Sequence, residues 1–264
     1  MTDLPYSAIA FSGIACSLVF AASWWEQFRT SNANLVDVIW SGAIGILALA
    51  FAVFGSGDPV IRTVSALLPA LWSIRLALHI YQRALYGEED ARYRYLRAHW
   101  ASHTQLKFFF FYQLQALTVI VFSFQFFVLA NIEEPASGTQ IGLAVLIWLI
   151  AMTGEALADR QLSEWRRIPA NRDKACRSGL WRYSRHPNYF FEWLHWWSYV
   201  PLALGTSWWW LPLLTQGLML LTLLKLTGIP YTERQALARR GDDYRDYQAT
   251  TSAFVPWFPK ARSK

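Results

Sequence analysis

Ionisable side chains within otherwise apolar stretches are the residues of this sequence best suited to chemistry. Three pairs of them stand three or four positions apart: Arg75 and His79, Glu155 and Asp159, and Glu192 and His195. At this spacing two side chains share one face of a helix, so each pair presents two polar groups together. Charges in apolar helices are costly, and they indicate either a functional site or ion pairs between helices. Both interpretations remain open.

Residues 178–189, called the elbow below, join a cationic segment to an aromatic one. Arg182 and Arg185 come first, and His186 then precedes Pro187. Pro187 fixes its own φ and disfavours the α conformation at His186, so a helix is predicted to begin here. The backbone donors at a helix N-terminus suit an anionic ligand such as a phosphate. His186 is either a cap of this helix or a catalytic base.

Other kinds of site lack the residues they need. The five His residues include no pair at a metal-ligand spacing with a carboxylate neighbour, so no metal site is predicted. No Gly-rich dinucleotide fingerprint follows a strand pattern, and no Ser stands in a nucleophile motif. No nucleic-acid module is recognisable. The charges in the apolar stretches lie toward one end, which argues against an ion-conduction path.

Composition predicts a membrane protein. Hydrophobic residues make up 54% of the 264 residues, and the chain has 15 Trp. Several apolar runs are longer than about 18 residues, which is long enough to cross a bilayer. The two cysteines, Cys16 and Cys176, do not suggest a disulfide framework. Asp3 stands where a signal peptide would be basic, so no cleavable signal is expected.

Seven helices follow if at least about 17 mostly apolar residues count as one crossing. They are expected at residues 6–25, 35–54, 60–81, 108–130, 140–158, 188–204 and 208–229. With no strand pattern and no repeat, the predicted fold is a single all-α membrane domain, a bundle of seven transmembrane helices. Residues 1–135 would hold helices one to four, and residues 136–264 would hold helices five to seven and the tail.

Charge predicts the orientation of this bundle. Cations concentrate in the links at residues 82–107 and 159–187 and in the tail. The N-terminus and the links after helices two, four and six hold only Arg62. Under the positive-inside rule the N-terminus is outside and the C-terminus cytoplasmic, which requires an odd number of crossings. The net charge of +6 also suits anionic lipid headgroups.

The elbow sequence SGLWRYSRHPNY resembles the signature of the steroid 5α-reductase C-terminal family and its bacterial relatives. Matching segments flank it: ADRQL at residues 158–162, GIP at 228–230, YRDY at 244–247 and FVP at 254–256. The resemblance is specific over about residues 150–258 and only topological in the first half.

This resemblance implies a membrane enzyme that uses NADPH to reduce the 4,5 double bond of a 3-oxo-steroid. Residues 1–135 would then form the substrate side, and residues 136–264 would bind NADPH from the cytoplasm, in a bacterial inner membrane. The substrate would be an apolar steroid or another enone lipid taken from the bilayer. Membrane lipids are the other expected partners, and neither nucleic acid nor an obligate protein partner is indicated.

The resemblance also implies roles for individual residues. By motif, four residues fall where the family contacts its cofactor: Asp159, Arg166, Asn188 and Glu192. Asn188 would bind the nicotinamide amide with both ends of its own amide. Three cations would hold phosphates, one of them selecting the 2′-phosphate: Arg166, Arg172 and Arg185. The remaining candidates lie in the same segments: Arg182, Tyr183, His186, Tyr189, His195, Arg234 and Tyr247.

For the catalytic acid, the family uses a Glu on helix two, and Asp37 is the nearest candidate. Asp37 could donate a hydrogen bond to the substrate carbonyl only if an apolar setting kept it protonated. Arg75 or a nearby Tyr is the alternative donor. Arg75 and His79 also match polar positions on the third helix of the family.

Two other functions remain open. The elbow also resembles isoprenylcysteine carboxyl methyltransferases, membrane enzymes that use S-adenosylmethionine. Those enzymes have paired Glu residues late in the chain, whereas here only Glu233 follows Thr232. Eight cations in the link 159–187 also suit a multi-phosphate cofactor better than a cationic sulfonium. A non-enzymatic transport or structural role is the third possibility.

Overall fold

The computed structural model describes residues 6–85, 89–100, 102–226 and 228–261, and over these residues the chain is helical and has no strand. The α-helices are α1 Tyr6–Thr30, α2 Leu35–Phe54, α3 Pro59–Leu85, α4 Ala91–His99, α5 Thr104–Leu129, α6 Gly138–Arg167, α7 Pro187–Trp196, α8 Val200–Ala203, α9 Trp210–Leu221, α10 Ile229–Arg240 and α11 Asp242–Thr250. The predicted all-α class is confirmed.

Within the described residues, six stretches are long and apolar enough to cross a membrane, judged by length and composition. They are Tyr6–Thr30, Leu35–Phe54, Pro59–Gln82, Thr104–Leu129, Gly138–Arg167 and Trp210–Arg240. Many of their large apolar side chains, such as Phe11, Ile46 and Leu146, are exposed on the protein surface, as side chains facing lipid would be. These features are those of an integral multi-pass membrane protein.

The helix predicted at residues 188–204 is broken, which corrects the sequence-based prediction. Helix α7 begins at Pro187, close to the predicted start, but it ends at Trp196 and is followed by a 3₁₀ turn at Trp197–Tyr199 and by the short α8. Pro201 explains the break, because it lacks a backbone N–H and its ring crowds the carbonyl four residues earlier. A tighter 3₁₀ turn accommodates this loss.

Three polar helices lie outside the predicted apolar stretches, namely α4, α10 and α11. Apolar runs do not predict them, since their residues are mostly polar or aromatic. Local caps nevertheless specify α4, where the Asp90 carboxylate accepts a hydrogen bond from the backbone N–H of Arg92 at 2.9 Å. Helix α6 also continues nine residues past its predicted end at 158, to Arg167.

The chain divides into two compact units. Unit one comprises Met1–Ile141 with Thr206–Trp208, and unit two comprises Gly142–Gly205 with Trp209–Lys264. In unit one, α2 packs along α3, and both α1 and α2 pack on α5. In unit two, α7 packs on α9, where the Trp193 and Gln216 side chains each donate to the other residue's backbone carbonyl.

Candidate functional site

The first part of the elbow is fixed to α6 by two hydrogen bonds. The Trp181 Nε1–H donates to the Ala158 carbonyl at 2.9 Å, and the Leu180 N–H donates to Gln161 Oε1 at 2.9 Å. Gly179 makes this approach possible because its φ of +58° lies in the left-handed region that favours glycine. A Cβ on Gly179 would lie 2.4 Å from the Gln161 side-chain amide.

We therefore expect Gly179→Ala to lower the melting temperature of the detergent-solubilised protein. The variant would combine a positive φ, which costs about 1–2 kcal/mol, with displacement of Gln161 from the Leu180 N–H. Gly205→Ala is the matched control, since Gly205 has a φ of +87° and a Cβ there would meet nothing within 4 Å. Equal melting temperatures for the two variants would contradict the role given to Gln161.

Arg185 connects the elbow to α10 and to the C-terminal segment. Its Nε donates to Glu233 Oε1 at 2.6 Å, and its Nη1 donates to the Gln248 carbonyl at 3.1 Å and to the Thr251 carbonyl. Glu233 Oε2 accepts a further hydrogen bond from Gln248 Nε2 at 2.9 Å. The Arg185 and Glu233 side chains are only 10% and 16% exposed. Arg185, predicted to hold a phosphate, is thus bound to groups inside unit two and acts as a positioning residue.

His186 is buried between the same groups. Its backbone N–H donates to Ser184 Oγ at 3.1 Å, its Nε2 lies 3.4 Å from Glu233 Oε1, and its ring stacks on Tyr189. Burial lowers the pKa of His186 and outweighs the opposite effect of Glu233, so the ring is neutral at pH 7. A neutral Nε2–H donating to the Glu233 carboxylate fits these contacts. Of the two roles left open by the sequence, the geometry favours the structural one.

Residues 251–260, called the C-terminal strap below, run along the elbow backbone. The Arg185 N–H donates to the Ser252 carbonyl at 2.8 Å, the Ser184 hydroxyl to the Phe254 carbonyl at 2.7 Å, and the Trp257 N–H to the Tyr183 carbonyl at 2.9 Å. These long-range bonds satisfy backbone groups that a loop would otherwise expose. The strap therefore fixes the conformation of the elbow.

Tyr247 fixes the elbow from α11. It is 2% exposed, and its hydroxyl donates to the Trp181 carbonyl and lies 3.2 Å from the Ser184 carbonyl. Burial raises the pKa of Tyr247, so the hydroxyl stays protonated and remains a donor. Tyr247 was predicted to contact the cofactor, and the structure instead places it against the elbow backbone.

An ion cluster ties the cationic link to α11. Asp243 Oδ2 accepts from the Ala175 N–H at 2.6 Å, and Oδ1 accepts from Arg177 Nη1 at 2.7 Å. Arg177 also reaches Asp246 Oδ2 at 3.2 Å and lies over the Tyr247 ring. Burial raises the pKa of Asp243, but the Ala175 N–H and Arg177 outweigh it, so the net pKa is lowered.

This lowered pKa predicts an acid-sensitive contact. The stabilisation that the Asp243 carboxylate gives the folded protein is complete above the ordinary aspartate pKa of about 3.9. It is lost as the pH falls through the lower pKa that Asp243 has in the folded state. We expect the difference in melting temperature between wild type and Asp243→Asn to be constant from neutral pH to mild acid and to shrink below that range. Asp242→Asn, at a neighbouring position that is 93% exposed, should show no such pH dependence. A difference that persists unchanged at low pH would contradict this assignment.

Several predicted ligand-binding residues remain accessible in unit two. Asn188, in the first turn of α7, is partly exposed, and its side-chain amide makes no hydrogen bond with any described residue. Four exposed cations lie before, within or after the elbow in the sequence: Arg166, Arg172, Arg182 and Arg234. Tyr183 is partly buried and lies under the Arg182 guanidinium, 6.0 Å from the ring centre. Tyr189, also partly buried, has its hydroxyl 3.3 Å from Thr232 Oγ1.

The polar residues of α6 and α7 lie deeper. Glu192 accepts a hydrogen bond from Trp196 Nε1 at 3.3 Å, and the fully buried His195 places Nε2 2.7 Å from the Tyr199 hydroxyl. On α6, Asp159 is partly buried. Each predicted pair therefore lies on one helix, as its spacing requires.

A second polar cluster forms in unit one around Asp37. Its Oδ2 accepts from Arg92 Nη2 at 2.6 Å, and its Oδ1 accepts from the Tyr93 hydroxyl at 2.7 Å. Helix α4 brings these donors to α2, helped by a 2.7 Å hydrogen bond from the Asp90 N–H to Asn34 Oδ1. Arg92 also forms an ion pair with Asp90, so its positive charge is shared between the carboxylates of Asp37 and Asp90.

The contacts of Asp37 bear on its predicted role. Two donors converge on its oxygens, so within this cluster Asp37 accepts hydrogen bonds, whereas the sequence predicted a donor to a substrate carbonyl. Tyr93 is 2% exposed, and burial followed by the nearby Asp37 raises its pKa, so it keeps its proton. Burial lowers the pKa of Arg92, but Asp37, Tyr93 and Asp90 together outweigh this effect, so the net pKa is raised. Within the cluster, Tyr93 thus donates its proton to Asp37. The sequence indicated this residue only through the alternation of Arg and Tyr at residues 92–95.

Arg75 and His79 lie one turn apart on α3 in unit one, the first partly buried and the second exposed. No group of three His, Cys, Asp or Glu residues among those described could hold a metal ion.

Comparison with known proteins places this architecture in a family. Residues 23–251 match the family described as "Protein of unknown function (DUF1295)". An uncharacterized protein of the yeast Schizosaccharomyces pombe is 26% identical over 206 residues, which cover 67% of this chain and 59% of the yeast protein. The chain thus spans about three fifths of the length of that relative. No solved structure matches. Because the family match covers most of the sequence, the chain belongs to the DUF1295 family.

Proposed function

We propose that this protein is an NADPH-dependent membrane reductase of the C=C bond of an apolar enone, with a 3-oxo-Δ4-steroid as the leading substrate class. The observation that carries the proposal is the state of Asn188. Its amide is accessible and makes no hydrogen bond with the described residues, while Arg185, Glu233 and Tyr247 hold the surrounding backbone fixed. A rigid support under an available polar group is typical of a ligand-binding position.

The accessible residues fit NADPH in chemical type. A dinucleotide phosphate requires cations whose donors are available, and Arg172 and Arg182 are exposed and form no ion pair with the described residues. The Asn188 amide can donate to and accept from a carboxamide, as the nicotinamide group requires. When bound, NADPH would supply the hydride. Arg185 would then support the site through the elbow backbone without contacting a phosphate.

The Asp37 cluster of unit one would supply the acid. Hydride addition to the β-carbon of an enone leaves negative charge on the carbonyl oxygen, and a preorganised donor lowers the energy of that charge. In this structure the Tyr93 hydroxyl donates its single proton to Asp37, so it would serve as the donor by turning that O–H from Asp37 to the substrate, while Arg92 holds Asp37 in place. Tyr93 takes the donor role first assigned to Asp37, and Asp37 becomes the residue that positions it.

We expect Asp37→Asn to lower turnover by roughly a hundredfold, the usual size of a general-acid or oxyanion contribution. Stabilisation by NADPH should be nearly unchanged, because Asp37 is not assigned to the cofactor. Tyr93→Phe should have the same effect on turnover. Asp58→Asn is the control, since the Asp58 side chain caps α3 by accepting from the Val60 and Ile61 N–H groups. A normal rate in Asp37→Asn would move the acid to another residue.

We further propose seven crossings, with the N-terminus outside and the C-terminus in the cytoplasm of a bacterial inner membrane. Consecutive α-helical and 3₁₀ turns run from Pro187 to Ala203, about 17 residues, which is close to the shortest crossing length. Added to the six long apolar stretches, this segment gives the odd number that the charge distribution requires. A reporter active only in the periplasm, fused to the C-terminus, should give no signal. A strong signal would contradict this topology.

The decisive experiment measures ligand-induced stabilisation. Purified protein is heated with NADPH, with NADH and with S-adenosylmethionine, and turnover is then tested on 3-oxo-Δ4-steroids and simpler enones. Stabilisation by NADPH is the expected result. Stabilisation by S-adenosylmethionine would favour a methyltransferase, although Glu233, the one acid that stands where those enzymes have paired Glu residues, is already bonded to Arg185. A response to none of the three would contradict the reductase proposal.

A further inference from the structure

The C-terminal strap exposes large apolar side chains in a region that is otherwise polar. Trp257 and Phe258 are 70% and 75% exposed, and Val255 is 52% exposed. Among the described residues after Gly228, these three are the large apolar side chains that face outward. Adjacent exposed aromatic residues on a polar surface usually have an apolar partner.

The strap presents these side chains on a fixed backbone. The Trp257 N–H donates to the Tyr183 carbonyl at 2.9 Å, and the Lys260 N–H donates to the Thr250 carbonyl at 2.8 Å. Pro256 and Pro259 restrict φ on either side of the aromatic pair. The Phe258 ring also packs edge-on against Tyr183, with 5.9 Å between ring centres. Little conformational entropy is therefore lost when a partner covers these side chains.

Charge and chain continuity identify the partner as a lipid surface. Residues 251–264 contain three cations and no carboxylate, which suits anionic headgroups. Trp is the residue most typical of the membrane–water interface, where its ring lies at headgroup depth. The strap is bonded to Tyr183, four residues before the apolar helix α7 begins at Pro187. This short connection keeps the strap close to a membrane that the chain itself crosses.

We propose that the C-terminal strap is a membrane-interface anchor. Trp257 and Phe258 insert among the headgroups of the adjacent leaflet, and Lys260 binds anionic lipid. Through the bond between Trp257 and Tyr183, this anchor holds the elbow at the membrane surface. The anchor does not depend on the reductase activity proposed above.

The test places an environment-sensitive fluorophore on the strap. Cys16 and Cys176 are changed to Ser, Trp257→Cys is added and labelled with NBD, and the protein is reconstituted in vesicles of phosphatidylcholine and phosphatidylglycerol. We expect blue-shifted emission and loss of fluorescence with lipids that carry a spin label near the headgroup. Phe258→Cys provides a second position, with the same expected result. Arg245→Cys on α11, where the native side chain is 72% exposed, is the water-facing control.

Three results would overturn the proposal. Emission at both strap positions equal to that of the Arg245→Cys control would show that the strap faces water. Emission that changes with protein density but not with spin-labelled lipid would indicate a second copy of the chain as the partner. Quenching that is identical without phosphatidylglycerol would exclude recognition of anionic lipid. None of these readouts requires NADPH, so failure of the reductase proposal would leave them interpretable.

Discussion

Replacing Glu233 with alanine should lower the melting temperature of the detergent-solubilised protein by about 10 °C. The change leaves the Arg185 guanidinium, whose side chain is 10% exposed, without its carboxylate. Removing one partner of a buried ion pair costs about 3–5 kcal/mol, and each kcal/mol corresponds to about 2–4 °C in a protein of this size. Glu233→Gln should have a smaller effect, because the amide oxygen can still accept from Arg185 Nε.

The chain offers a matched control for this ion pair. Arg245 and Asp242 are also 2.6 Å apart, but their side chains are 72% and 93% exposed, so Asp242→Ala should change the melting temperature little. In Arg185→Ala combined with Glu233→Ala, the loss should be smaller than the sum of the two single losses, since the residues act together. Hydrogen exchange should rise in the elbow of the single variants. Additive losses, or an elbow that exchanges as in wild type, would contradict the positioning role.

Asn188→Ala should greatly reduce stabilisation by NADPH while leaving the melting temperature of the ligand-free protein unchanged. The first expectation rests on the proposed function, because loss of a paired amide contact weakens binding by about tenfold to a hundredfold. The second rests on the structure, in which the Asn188 amide makes no hydrogen bond with the described residues and so supports no internal contact. Binding is measured by thermal shift and by direct titration with NADPH.

Asn171→Ala provides the opposite control. The Asn171 amide donates to the Trp165 carbonyl at 3.2 Å, in the cationic link that precedes the elbow. This variant should lower the melting temperature and leave the affinity for NADPH close to that of wild type. Unchanged NADPH affinity in Asn188→Ala would remove Asn188 from the cofactor site. A large loss of ligand-free stability in Asn188→Ala would show instead that the residue is structural.

The sequence by itself determined the features that depend on neighbouring residues. Long apolar runs predict helices in a membrane because backbone polar groups must be satisfied within the segment, and the six candidate crossing stretches follow those runs. The start of α7 at Pro187 was also predictable from neighbouring residues, because proline restricts its own φ and the backbone conformation of the residue before it. The break at residues 197–199 could have been read from Pro201, but the apolar run concealed it.

Only the tertiary structure decided which polar residues are bonded within the fold and which remain accessible. Arg185 and Asn188 lie three positions apart in the same motif, yet Arg185 binds Glu233, 48 positions away, and Asn188 binds no described residue. Asp37 accepts hydrogen bonds from Arg92 and Tyr93, which are 55 and 56 positions away in the sequence. Tyr247 reaches the Trp181 carbonyl across 66 positions. The cause is physical: a side chain's charge and hydrogen bonds depend on the groups within about 3 Å of it, and packing brings those groups from distant parts of the chain.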